Sequence, residues 1–280
     1  MIPSASGSIL LASGDAAGVA ALSREVLVAV ALASLLSGLV GTVVVLRRLV
    51  SLGGGIAHAA FGGVGLALAT GFDPRLGAAA VAVTAAAILA PLGRDRIARQ
   101  DAVIGVLWSI GMAVGMLLVS GATDDHAVEE LLFGDLGSVK RSDLVILGAL
   151  VLIVAVTMAL FRRELAATAF DDEHARLRGL PVGGLSFVLL LLVALSLVAL
   201  LSLVGIVLAI ALLAIPPLVA LRLFRALPAI VCAAISIAFL MAIAGLALAQ
   251  RFVLPAGPAI ILVGGLLLLI ARAVPRRAVR

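Results

Sequence analysis

The sequence predicts an all-α integral membrane protein of about nine transmembrane helices, and three observations carry that expectation. Hydrophobic residues fill 64% of the 280 positions and charged residues only 12%, with a mean hydropathy of +1.33, far from the balance of soluble domains. The apolar residues fall into runs of about 20, the length a helix needs to cross the hydrocarbon core. The basic residues gather at alternate ends of those runs. The net charge of +5 therefore reads as a topology signal rather than a nucleic-acid footprint.

The spans follow in order. Residues 1–24 are small and polar, without the basic start of a cleavable signal peptide, and are expected to be extracytoplasmic. A single polytopic domain, 25–273, then holds spans at 26–46, 54–71, 76–93, 102–121, 143–161, 184–202, 204–222, 228–249 and 256–272. The second is short and glycine-rich. The sixth and seventh are separated by little more than Ser202 to Gly205, so a very tight turn is implied. Pro216 and Pro217 either kink the seventh span or break it and free carbonyls that could line a cavity. Residues 274–280 form a basic tail.

With the N-terminus outside and the C-terminus inside, the inner segments hold Arg47, Arg48, Arg94, Arg96, Arg99, Arg162, Arg163, Arg176, Arg178, Arg222, Arg225, Arg272, Arg276, Arg277 and Arg280. That is fifteen of the twenty basic residues; Arg24, Arg75, Lys140, Arg141 and Arg251 fall outside. The single Cys232 excludes an intrachain disulfide and reads as a plain hydrophobe. Tyr is absent and Trp108 is alone, so the usual aromatic belt is nearly missing.

Apart from residues at span ends, His58 is the only His, Asp, Glu, Lys or Arg inside the long apolar stretches. A titratable group at membrane depth is costly and marks a functional position by default. On a helix, Gly54, His58 and Gly62 stack at i, i+4 and i+8, with Ser51 and Gly65 nearby. Such a face either admits a solute to the imidazole or serves as a helix-packing seam whose histidine bonds across it.

Two loops are long. The outer one, 121–143, crowds Asp124, Asp125, His126, Glu129 and Glu130 into seven residues. Carboxylates with an imidazole suit zinc or manganese, so Asp124, His126 and Glu129 are candidate ligands, or else part of a looser cation-attracting field. The inner loop, 162–181, reads as a short helix. Asp171 or Asp172 caps it, Arg176 and Arg178 occupy its last turn, and Gly179 ends it before Pro181. It is either an interfacial packing element or a docking element for a soluble partner. No G-x-x-x-x-G-K-[ST] loop is present, so the chain is not expected to be an enzyme that hydrolyses ATP.

Together these residues resemble the permease subunit of the bacterial zinc and manganese ABC importers. The matching pieces are Gly-Gly-Gly-Ile-Ala-His58-Ala-Ala-Phe-Gly-Gly, Asp101-Ala-Val-Ile-Gly105 and Leu131-Leu-Phe-Gly134-Asp-Leu. Then come Phe170-Asp…Ala175…Gly179-Leu-Pro-Val182, Val204-Gly-Ile-Val-Leu…Ile215-Pro216-Pro217 and Pro255-Ala-Gly-Pro258. They cover the chain from about residue 26, in the family's order. The resemblance implies a fold similar to the vitamin B12 importer permease (type II ABC importer). It also implies a homodimer, a separate cytoplasmic ATPase subunit that uses the ATP, and an extracytoplasmic metal-binding protein. No permanently bound cofactor is implied, only a transported zinc or manganese ion. Phe170, Asp171, Ala175 and Gly179 would belong to the ATPase-docking helix. Many relatives carry Asp four residues before the histidine and Pro four after it; here those positions are Gly54 and Gly62.

The expected function is import of a divalent transition-metal ion, zinc before manganese. A single in-span histidine is too small a donor set for a structural or catalytic zinc site, but it suits a conduit that an ion must leave as easily as it enters. The alternatives are a cation-coupled secondary carrier, and a permease of the same fold for a metal chelate such as a siderophore.

Overall fold

The computed structural model describes residues 23–90, 97–122, 134, 139–170 and 172–273. Everything regular among them is helical, as a chain in lipid requires: with no water to satisfy it, each backbone amide must bond within its own segment. The helices are α1 (Arg24–Leu46), α2 (Val50–Thr70), α3 (Pro74–Leu89), α4 (Ile97–Ala122), α5 (Arg141–Leu160), α6 (Arg162–Phe170), α7 (Asp172–Leu177), α8 (Val182–Leu223), α9 (Leu227–Phe252) and α10 (Ala256–Ala273). Among the described residues seven are long and apolar enough to cross a membrane, and α3, at 16 residues, is a shorter apolar helix.

The long α8 accounts for two of the expected spans. Gly205 interrupts it with φ 77° and ψ 170°, a backbone region essentially confined to glycine. Val193 and Leu197 before the break line the same crevice as Ile210 and Leu213 after it. A straight helix would hold Val193 and Leu213 roughly 30 Å apart, so the chain doubles back at Gly205, where the sequence implies the tight turn. With α8 counted as two, the nine expected spans all have a helix.

Local chemistry sets the ends. Ser23 caps α1 by accepting from the Val26 amide at 3.3 Å, and Asp73 caps α3 by accepting from the Arg75 amide at 2.8 Å, with Pro74 in the first turn. Asp143 accepts from the Lys140 amide at 3.1 Å in front of α5. The same carboxylate takes the Arg75 guanidinium at 2.6 Å, joining the starts of α3 and α5 at one end of the bundle.

The core draws chiefly on α1, α2, α3 and α8, and small residues let α1 close on its neighbours: a side chain at Gly38 of α1 would meet Ile235 of α9, and one at Gly41 would meet the Leu213 carbonyl and Pro217 of α8. The two prolines do not break the helix. Pro216 has no amide to give the Leu212 carbonyl, and the Ser37 hydroxyl of α1 donates to that oxygen instead. At another point of the bundle the Arg47 guanidinium, buried at the end of α1, donates to the Ser186 hydroxyl of α8 at 3.2 Å.

Candidate functional site

Glycines build the surroundings of His58. α2 packs chiefly against α3 and α4, and glycines bring the backbones together at several of these contacts. A Cβ at Gly63 would strike Gly77 of α3; Cβ atoms at Gly62 and Gly65 would stand 3.0 Å from Gly111 and Gly115 of α4. On α4, Gly111 and Gly115 repeat at i and i+4, the small-xxx-small spacing that lets membrane helices approach closely. Gly111 rests on the His58 carbonyl and Ala59, and Gly115 on the Phe61 ring. Gly54, His58 and Gly62 share the α4-facing side of α2, as their spacing predicts.

The imidazole itself is half-buried. Its Nδ1 lies 2.7 Å from the carbonyl oxygen of Gly54, one turn back. A carbonyl only accepts, so Nδ1 carries the proton and donates. In the neutral ring Nε2 then holds the free lone pair, the form in which imidazole binds a metal ion. The indole of Trp108 on α4 stacks on the ring with centroids 4.2 Å apart and planes 19° from parallel. Trp108 shares the α2-facing stripe of α4 with Ile104, Gly111 and Gly115, at i, i+4, i+7 and i+11. Sequence reasoning missed it; its spacing from Gly111 and Gly115 was the available signal.

The remaining candidates lie elsewhere. Pro216 and Pro217 are buried, Pro217 against Gly41 of α1. Asp124, His126, Glu129 and Asp171 fall outside the described residues. Phe170 closes α6, and Ala175 on α7 is buried. Gly179 has φ 77°; its amide donates to the Arg176 carbonyl at 2.9 Å and the Leu180 amide to the Ala175 carbonyl at 3.1 Å. These paired bonds form a Schellman stop, the left-handed helix end expected at this glycine. Among the described residues, no three His, Cys, Asp or Glu side chains come together as a metal-holding group. An ion at His58 would have a single protein nitrogen among those residue types.

The comparisons agree with this arrangement. A membrane protein of Synechocystis sp. is 35% identical over 254 residues, covering 90% of each chain. The manganese transport system membrane protein MntC of Halalkalibacterium halodurans is 31% identical over 249 residues, covering 89% of this chain and 85% of that one. Among solved structures, PsaBC from Streptococcus pneumoniae in complex with Fab superposes with a TM-score of 0.79 at 26% identity, over 89% of this chain and 90% of that chain. The model of the ABC 3 transport family matches residues 20–275. The chain is thus a membrane permease belonging to the ABC 3 transport family, with the all-helical fold of the type II ABC importers.

Proposed function

We propose that this chain is the membrane-spanning permease of an ATP-driven importer that carries a divalent transition-metal ion, zinc first and manganese next, into the cytoplasm. ATP is hydrolysed by a separate cytoplasmic ATPase, an extracytoplasmic metal-binding protein delivers the ion, and two copies of the chain form the membrane unit. The N-terminus is outside and the C-terminus inside. The α6–α7 region, with its Gly179 stop, serves as the ATPase-docking element. The relative named as a manganese transport protein supports a metal cargo.

One observation carries the reading. His58 sits within a span on a helix packed by glycines, with its Nδ1 proton held by the Gly54 carbonyl and its Nε2 lone pair available. A lone imidazole nitrogen is a good but incomplete ligand for a borderline ion, and an incomplete site releases what it binds. His58→Gln keeps much of the volume and a hydrogen-bonding end while removing the basic nitrogen. In vesicles reconstituted with the permease and its ATPase, it should lower zinc uptake by at least tenfold while leaving insertion and ATPase binding near normal. Full uptake by this variant would reduce His58 to a helix-packing residue.

A further inference from the structure

We infer that Trp108 is the positioning and selectivity residue of the His58 step, making it a single-nitrogen stop that favours zinc over ions seeking oxygen ligands; this rests on His58 being the pathway ligand. Tryptophan in a membrane helix ordinarily sits at the interface. Trp108 instead stands six residues, roughly 9 Å, beyond Ala102, where the apolar span of α4 begins, in the stripe that faces α2, with 46% of its surface still exposed. An indole at that depth has a specific neighbour, and here it is the imidazole face.

The geometry gives the indole two effects. First, the Nε2 lone pair lies in the plane of the imidazole, so a ring stacked on the face leaves the lone pair open while fixing the tilt of the imidazole. A divalent ion on Nε2 withdraws electrons from the imidazole, and the electron-poor ring then rests on the indole, the best of the aromatic faces for positive charge. Trp108 therefore stabilises the metal-bound ring more than the free one. Second, position 54 has no side chain, and the atom within 4 Å of where a Cβ would stand is Cζ3 of Trp108, at 4.0 Å. Among the described residues the space beside the ligand thus borders an apolar ring rather than a carboxylate. Manganese, magnesium and calcium favour carboxylate, carbonyl and water oxygens, whereas zinc is well served by imidazole.

The chain has one Trp and no Tyr, so the indole emission of the purified permease in detergent micelles reports on Trp108 alone. Titration with zinc chloride should change that emission saturably, manganese chloride should need about tenfold more, and His58→Gln should abolish the zinc response. In the reconstituted vesicles Trp108→Leu should lower zinc uptake about three- to tenfold and narrow the zinc-to-manganese ratio, with Trp108→Phe restoring most of both. A purely structural indole would depress the two ions alike. An unchanged ratio in Trp108→Leu, with uptake still lost in His58→Gln, would overturn this inference and spare the reading beneath it; full uptake in His58→Gln would overturn that reading. Should Trp108→Leu fail to assemble, a wild-type emission that ignores zinc at concentrations supporting uptake would overturn the inference.

Discussion

Pro216 leaves the Leu212 carbonyl without its helical amide, and the Ser37 hydroxyl takes that place. One turn earlier on α1, the buried Ser34 hydroxyl has no hydrogen-bond partner among the described residues. The two serines therefore make opposite contributions. Removing the donor at 37 strands a buried carbonyl, at a cost of about 1–3 kcal/mol, whereas removing an unpartnered hydroxyl costs little or is favourable. Ser37→Ala should lower the thermal unfolding midpoint of the detergent-solubilised protein clearly, and Ser34→Ala should leave it level or raise it. Equal shifts would discard the pairing. His58 was legible because a lone ionisable residue in a span stands out by type alone. Ser37 was not, because hydroxyl residues recur around these helices and periodicity alone does not say which of them faces a particular neighbour; Trp108, unique by type and spaced with Gly111 and Gly115, needed the pairing of α2 with α4 to be placed on the imidazole.

Among the elements, two glycines at positive φ make different demands. At Gly205, φ 77° and ψ 170° allow the two halves of α8 to fold back, and Gly134 lies directly on the Val204–Gly205 backbone. Gly205→Ala should cost about 1–3 kcal/mol and deplete folded protein in the membrane, as seen by fluorescence-detected size exclusion. Gly179 is exposed, and a Cβ there would meet nothing within 4 Å, so Gly179→Val strains only its own backbone, by about 1–2 kcal/mol. That variant should insert normally yet lose co-purification of the ATPase. Normal stoichiometry and transport-coupled hydrolysis would rule out the docking role. The spans themselves were readable from hydropathy because lipid imposes helix length. The sequence also implied the turn near 202–205. It left the proline pair open between a break and a kink, since the answer depends on what α1 places opposite. The inner segment reads as one short helix, but the structure has α6 and α7 on either side of residue 171.

For the whole molecule, the orientation inferred from the arginine bias has a direct check. Phe72 and Leu177 are exposed, at 71% and 83%. The first follows α2 and the second ends α7, so an N-outside topology puts them on opposite sides of the membrane. In a Cys232→Ala background, a cysteine at 72 should react with a membrane-impermeant maleimide added to intact cells, and one at 177 should not. The reverse pattern would invert the topology. The Arg75–Asp143 pair joins the starts of α3 and α5, which the same topology requires to lie together outside, although residues so far apart in sequence gave no hint of meeting.

The covered proline carbonyl has an electrical consequence. A bare carbonyl in hydrocarbon is a fixed partial negative charge that draws water and cations inward. Ser37 covers the Leu212 oxygen; Pro217 leaves the Leu213 oxygen without its helical amide in the same way, and there the Gly41 backbone closes over it, which keeps water away without cancelling the partial charge. The crevice that Leu213 lines also holds Gly54, one turn before His58, so this partial charge and the stacked imidazole and indole of α2 and α4 belong to neighbouring parts of the bundle.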